Sequence, residues 1–345
     1  MKVAVINSLV PFGRGGAEEL ADHLVGNLVA AGVEAELVRI PFTWEPSELL
    51  IDAIVLSSGI RLGAVDRVIG LRFPAYLVEH PHKRLWLLHQ YRQAYDLWDA
   101  GQSNIPNNPR GEAIRHAVMQ ADNACFAACQ RIFTNHQTTR DRMRRYNGVE
   151  SEILMPPLND PELFVGGESQ GYILACGRVN GAKRQHLLVE AMRHVSRSVR
   201  LVVAGPPETQ ADADHLRELV GKWDLADRVT LRLGFVPRAE LAQLVNHAAA
   251  VAYLPFDEDS VGYVTMEACH AAKPVITTSD AGGVLDLITD RRNGLVVAPE
   301  PQALAEAIET MSCNPGVAIR WGRQAREDWL DRGITWRCTI ERLLG

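Results

Sequence analysis

Short apolar runs of strand length recur from one end of the chain to the other, and segments with helical periodicity separate them. In the first half the runs are "KVAVIN" (2–7), "EAELVRI" (34–40), "AIVLSS" (53–58), "AYLVE" (75–79), "RLWLLH" (84–89) and "RIFTN" (131–135). In the second half they are "YILACG" (172–177), "RLVVAG" (200–205), "RVTLRL" (228–233), "AAVAYLP" (249–255), "PVITT" (274–278) and "GLVVA" (294–298). Strands that alternate with helices form parallel sheets, because a parallel neighbour is reached only through a crossover whose helix covers a sheet face. The pattern predicts an α/β protein whose halves repeat one plan. At 345 residues the chain is long for one hydrophobic core, so two domains are expected.

The stretch "MPPLNDPELFVGGESQG" (155–171) is rich in Pro, Gly and acids and poor in periodic apolar residues, the composition of a linker. The domain plan is therefore an N-terminal Rossmann-like domain over 1–157, a linker over 158–170, a C-terminal Rossmann-like domain over 171–328 and a terminal helix over 329–345. Trp321, Trp329 and Trp336 predict that the terminal helix packs against the body or back on the N-terminal domain. Doubly wound sheets take ligands at the carboxyl ends of their strands, and two such domains facing each other would enclose a cleft.

Composition removes several function classes. With 47% hydrophobic and 23% charged residues the chain reads as soluble and globular. A net charge of −6 argues against non-specific nucleic-acid binding, which needs a concentrated Lys/Arg surface. The densest basic stretch, "RDRMRRYNG" (140–148), reads as a solvated helix face, with a peripheral membrane contact left open. No apolar run is long enough to span a bilayer and the N-terminus enters a strand pattern at once, so a cytoplasmic protein is expected, possible membrane association aside. Cys125 and Cys129 share a helix face and read as core residues. His80 and His82 flank Pro81 without a third ligand nearby and read as loop residues, so no metal site is expected.

The chemistry concentrates in "DEDSVGYVTMEACHAAKPVITTSDAGG" (257–283). A strand, an acidic loop and a helix beginning near Val261, with Ser260 as its cap, would leave the backbone N–H groups of Gly262, Tyr263 and Val264 around an anion pocket at the positive end of that helix. Gly262 permits close approach. Glu267 lies five residues on, about 7 to 8 Å along the axis at a rise of ~1.5 Å per residue, roughly the distance from a nucleotide's pyrophosphate to its ribose. Asp259 lies before the helix, where it could meet hydroxyls of the group attached to the diphosphate. In "CGRVNGAKRQHLLVEAM" (176–192), Arg178 sits at a strand end and Lys183 at a helix start, two cations suited to a diphosphate leaving group. Gly15 and Gly16 follow the first strand and open a helix, giving a second phosphate-sized nest.

Together, "GRVNGAKRQHLLVEAM", Asp259 with seven residues between it and Glu267, "KPVITTSDAGG", "NGLVV" and the N-terminal "GRGGAE" resemble glycosyltransferase family 4, retaining enzymes of the two-domain GT-B fold that use nucleotide sugars. The match is dense from 172 to 311 and thinner in the first half. The resemblance implies that Arg178 and Lys183 hold the donor diphosphate, Glu267 the ribose and Asp259 hydroxyls of the transferred sugar. Gly262, Tyr263, Val264 and Thr265 would line the same pocket through their backbone. Gly15 and Gly16 would cover the phosphates from the other domain, Phe235 and Val236 of "LGFVP" would contact the base, and His89 at a first-half strand end would reach the donor sugar. The chain departs from the family in having Asp where Glu is common at the first acidic position, and "DSVG" where a Glu-Gly-Phe-Gly run is usual.

The implied reaction moves a sugar from a nucleoside-diphosphate sugar to an acceptor hydroxyl, on a glycan, a lipid-linked molecule or a small molecule, with anomeric configuration kept. No carboxylate in the sequence nominates itself as a nucleophile, which favours front-face attack over double displacement. With two cations beside the diphosphate, Asp257-Glu258-Asp259 is not needed as a metal motif, and neither cofactor nor metal is expected. Two alternatives remain at this level, a sugar-nucleotide epimerase or phosphorylase of similar fold and a non-catalytic sugar-nucleotide-binding subunit. A dehydrogenase is disfavoured, because no well-placed Gly-x-Gly-x-x-Gly turn follows the first strand.

Overall fold

The structure, a computed structural model, describes residues 1–11 and 15–345. The chain divides into two compact units, residues 1–159 with 334–345, and residues 160–333. Each is built on a six-stranded sheet.

In the first unit the strands are β1 (Lys2–Leu9), β2 (Glu34–Pro41), β3 (Arg67–Gly70), β4 (Lys83–Leu87), β5 (Arg131–Thr134) and β6 (Glu152–Ile153), in the order β2-β1-β3-β4-β5-β6. All pairings are parallel. Two expected strands are corrected. Residues 53–58 lie in the helix Leu49–Gly59, and 75–79 contain a single tight turn, Ala75–Leu77. A short apolar run carries no period that separates a strand from a helix, and "LLIDAIVLSSG" spans three helical turns. The strand in that region is β3, only four residues long and easily overlooked.

The second unit contains β7 (Tyr172–Cys176), β8 (Arg200–Ala204), β9 (Val229–Arg232), β10 (Ala250–Ala252), β11 (Val275–Thr278) and β12 (Gly294–Val297). Their order is β12-β11-β10-β7-β8-β9, again parallel throughout. Read from β9, this is the doubly wound dinucleotide-fold order, which reverses between β7 and β10. Ile173, Ala175, Leu201, Val203, Ala250 and Ile276 from the sheet pack with Leu188, Leu216, Leu304 and Ile308 from the helices in one core. All five residues of β7 are buried, as expected of a central strand covered on both faces.

The terminal helix is Trp336–Leu344. The expected start at 329 is corrected, since Trp329 is buried near the end of the preceding helix, Pro315–Leu330, in the second unit. Ile340 and Leu343 join Leu20, Leu24, Leu28 and Trp86 in the first unit's core, and the Trp86 and Trp336 rings meet edge to face at 6.4 Å. Arg84 donates to the carbonyl of Leu343 at 2.7 Å and Arg67 to that of Leu344, so two cations cap the helix's negative end.

Candidate functional site

Two segments leave the carboxyl ends of β7 and β10, the place where this sheet's strand order reverses. After β7 the chain turns through Gly177 and Arg178 into the helix Gln185–Ala191. After β10 it runs through Tyr253 and the acidic loop into the helix Tyr263–His270. That helix starts two residues later than expected. Gly262, not Ser260, is its N-cap, and no side chain caps it. The reason is local: Gly262 has φ +74°, and a Cβ there would lie 2.7 Å from Cε1 of Tyr253 and 2.9 Å from its hydroxyl. Only glycine allows the turn to close over that ring.

The first-turn amides of a helix have no partner inside the helix, and here they follow the loop around Gly262, Tyr263 and Val264. Thr265 follows in the same first turn, its N–H donating to the Gly262 carbonyl at 3.1 Å and its side chain fully buried. Val264 reaches the β7 turn, its Cγ2 lying 3.5 Å from where a Cβ on Gly177 would stand.

Lys183 meets this turn. Its Nζ donates to the Tyr253 hydroxyl at 2.8 Å, sits 5.1 Å from the ring centroid, and is ion-paired with Glu258. Burial, reinforced by the Glu258 charge, raises the Tyr253 phenol well above its ordinary pKa, so it stays a donor, and it donates to Glu258 Oε2 at 3.1 Å. Next door, Arg184 clamps the strand ends. It donates to the carbonyls of Leu254 and Pro255, each at 2.8 Å, to Thr278 at 2.8 Å and to both oxygens of Asp280. The guanidinium holds the Asp280 carboxyl below the usual carboxylate range. Arg178 is more exposed and pairs with Glu208 at 3.6 Å.

Glu267 is buried on the same helix and ion-paired with Arg238. Arg238 also donates from Nε to Asp160 at 3.3 Å and stacks over Phe164, 4.6 Å from the ring centroid. The Cys176 thiol at the end of β7 is pushed up by burial and then by the Glu267 charge, which places that carboxylate beside the strand end. Arg238 opens the helix Arg238–Asn246, two residues after Val236, so the segment carrying the base-contact candidates leads directly to the partner of Glu267. Phe235 is 73% exposed, an unusual position for a large apolar side chain.

Asp259 is buried before the helix. Its neighbour Glu258 is fixed by backbone pairing with the turn after β11: its N–H donates to the Ala281 carbonyl at 3.3 Å and its carbonyl accepts from Gly283 at 2.8 Å. Gly282, at φ +68°, makes this possible, since a Cβ would lie 2.4 Å from the Glu258 oxygen. Sequence reading missed Tyr253, Glu258, Arg184 and Arg238. The one local signal was the position of Arg184 and Arg238 immediately after residues already singled out.

In the first unit, Gly15 caps the helix Gly16–Ala30 in extended conformation, and its carbonyl accepts from Glu18 and Glu19, each at 3.1 Å. Glu18 pairs with Arg72 at 3.1 Å. Gly13 and Arg14 of the "GRGGAE" motif lie outside the described residues. His89 follows β4, half-buried, with Nδ1 2.7 Å from the Gln90 carbonyl. His80 and His82 line an open depression of about 590 Å³ at the amino ends of β3 and β4, the end of a parallel sheet that ligands avoid. His82 donates its backbone N–H to His80 Nδ1, and among the described residues no cluster of acids, histidines and cysteines is arranged to hold a metal. No helix among the described residues is long and apolar enough to cross a membrane.

Residues 165–328 match the family model of glycosyl transferases group 1. Among curated proteins, a D-inositol 3-phosphate glycosyltransferase of Kineococcus radiotolerans is 32% identical over 191 residues, covering 50% of this chain and 42% of that protein. An alpha-maltose-1-phosphate synthase of Mycolicibacterium smegmatis is 26% identical over 212 residues, covering 57% and 54%. The chain spans about half the length of the curated relatives it matches. Among solved structures, sucrose-phosphate synthase of Thermosynechococcus elongatus superposes with a TM-score of 0.77 at 18% identity over 99% of this chain and 97% of that one. Anabaena HepE in complex with UDP and glucose gives 0.74 at 18% identity over 99% and 98%. The fold is GT-B, shared along the whole chain.

Proposed function

We propose that the protein is a retaining glycosyltransferase that moves a sugar from a nucleoside-diphosphate sugar to an acceptor hydroxyl. The observation that carries the reading is the convergence, at the strand-order reversal of the second unit, of Lys183, the glycine-capped positive end of the helix Tyr263–His270 and a buried Glu267. A diphosphate needs fixed positive groups that develop no reorganisation cost as the leaving group gains charge, and a cation next to oriented amides supplies them. Arg178 adds a second cation. Glu267, aimed by Arg238, accepts from the ribose hydroxyls, and Phe235 with Val236 flanks the base. Asp259 takes hydroxyls of the transferred sugar, and His89, Gly15 and Gly16 are assigned to the donor from the first unit. The match to glycosyl transferases group 1 falls on the unit that carries these donor groups and supports the assignment.

Front-face attack fits the residue set, with the acceptor entering on the side the diphosphate leaves and a phosphate oxygen taking its proton. The diphosphate is neutralised by Arg178, Lys183 and the helix end, so the proposal requires neither metal nor cofactor. The acceptor is a hydroxyl on a glycan, a lipid-linked molecule or a small molecule.

Calorimetry with UDP, GDP and ADP forms of hexose donors tests the site, starting from uridine nucleotides because the HepE structure holds UDP. Binding of one nucleotide sugar with slow release of free sugar is expected. Conversion of the donor to an epimer without an acceptor, or phosphate-dependent cleavage, would replace transfer by one of the rival reactions. Binding without any turnover would leave a carrier or sensor.

A further inference from the structure

The second unit's phosphate lysine is already occupied by an anion of the protein's own. Glu258 is ion-paired with Lys183, and the Tyr253 hydroxyl bridges the two, accepting from Lys183 at 2.8 Å and donating to Glu258 at 3.1 Å. The side chains retain only 24% and 19% of their exposure, so this pair is screened far less than a surface one. Glu258 is also not a freely swinging acid. Its backbone is bridged on both sides to Ala281 and Gly283, and Gly282 admits that approach. The arrangement differs from the pairing of Arg178 with Glu208, which is longer, at 3.6 Å, with both side chains nearly half exposed.

An ammonium offers three donors. Here one meets Tyr253 and one meets Glu258, so a phosphate oxygen arriving at Lys183 encounters a carboxylate in the same place. Two anions that close repel each other, and only the more highly charged or better-held one keeps the lysine.

We propose that Glu258 is a built-in counter-anion that occupies the diphosphate position of Lys183, keeps the ammonium aimed through Tyr253, and has to be displaced by the donor. The proposal rests on the reading of Lys183 as a diphosphate ligand. Glu258 then acts through Lys183 as a positioning residue and lowers the site's affinity for diphosphates. By reclaiming Lys183 it also speeds departure of the nucleoside-diphosphate product. A bare nucleoside does not reach Lys183 and has nothing to displace, so the competition weakens diphosphate binding and leaves nucleoside binding unchanged.

Glu258→Gln tests this with little change of shape, because the amide oxygen still accepts from Tyr253 and the backbone pairing to Ala281 and Gly283 is untouched. Calorimetry with UDP, GDP and ADP, each beside its nucleoside and monophosphate, should show the diphosphate bound roughly tenfold more tightly by the variant, the scale of one charge-assisted hydrogen bond. Nucleoside affinity should stay within about twofold. In a Lys183→Ala background the same substitution should give no such gain. A variant that binds diphosphate equally or more weakly overturns the role of Glu258 and leaves the reading of Lys183 standing. A gain that persists without Lys183 overturns it too, since it would report general repulsion rather than competition for the ammonium. If wild type and variant bind none of the three diphosphates, the donor-site reading falls, and this proposal with it.

Discussion

Both units carry a six-stranded parallel sheet, yet they place their charged groups differently. In the second unit several long-range charged contacts gather near the strand-order reversal: Lys183 with Tyr253 and Glu258, Arg184 with Asp280, Arg238 with Glu267. In the first unit, among the described residues, much of the buried polarity lies inside the core. Asp122 accepts from Tyr76 at 2.9 Å and Tyr95 at 2.7 Å, and Lys83 donates to the carbonyls of Tyr76 and Val78 and to Cys125 Sγ, each at 3.1 Å. Fixed charges at a sheet edge select a charged ligand, whereas satisfied polar groups inside a core select one packing arrangement. On the proposed function, this contrast fits binding of the nucleotide by the second unit's charged groups, with His89, Gly15 and Gly16 of the first unit assigned to the donor's sugar and phosphates.

The largest effect expected from that contrast is on chemistry. Lys183→Ala should lower turnover by about two to three orders of magnitude, the scale found when one preorganised stabiliser of a developing anion is removed. Release of free sugar from the donor measures it, and a loss below threefold would remove Lys183 from the leaving-group site. Next in size, Glu267→Ala should cut nucleotide affinity by about 100-fold, because it deletes the ribose acceptor and leaves Arg238 facing a hole. Calorimetry reads this directly, and unchanged affinity for all of UDP, GDP and ADP would break the ribose assignment. On the first unit, His89→Ala should slow turnover about tenfold while nucleotide affinity stays within about twofold. If it abolished nucleotide binding instead, recognition could not be assigned to the second unit alone.

The same two regions differ in how much could be read from the sequence. All six strands of the second sheet were legible: most are buried parallel strands that appear as apolar runs bounded by glycine and polar residues, and the edge strand β9 shows instead the alternation of a half-buried strand. In the first unit "AIVLSS" matched that signature and is helical, and Ile51, Val55 and Leu56 on that helix are exposed, so burial did not produce the run. The four-residue β3 carried too little pattern to find. Within the site, Lys183, Glu267 and Gly262 were visible because each sits in a local motif. Their partners were not, because Tyr253 and Glu258 reach Lys183 across 70 and 75 positions and Arg238 reaches Glu267 across 29. No local spacing encodes such contacts. Ser260 failed as a cap for a related reason: the ring of Tyr253 beneath Gly262 sets where the helix begins, and that ring belongs to the preceding strand end.

The smallest effect on the site, and one confined to the first unit, comes from Asp122. Burial pushes its carboxyl up to about 7, against the opposing pull of the Tyr95 and Tyr76 hydroxyls. An unfolded Asp titrates near 3.9, so the folded value is raised. Below about pH 4 both states hold the proton and the group's contribution to stability is complete. Between about pH 4 and 7 the folded state keeps a proton that the unfolded state has released, and stability falls as pH rises. Above about 7 both are ionised and the loss is finished. Asp122→Asn has no proton to keep, and its amide accepts from one tyrosine while donating to the other. Urea unfolding of the first unit should therefore show wild type losing about 2 kcal/mol relative to the variant between pH 5 and pH 7. Nucleotide affinity should be the same in both. Parallel stability curves across that window would mean that Asp122 is ionised in the folded protein, with the two tyrosine hydroxyls outweighing its burial.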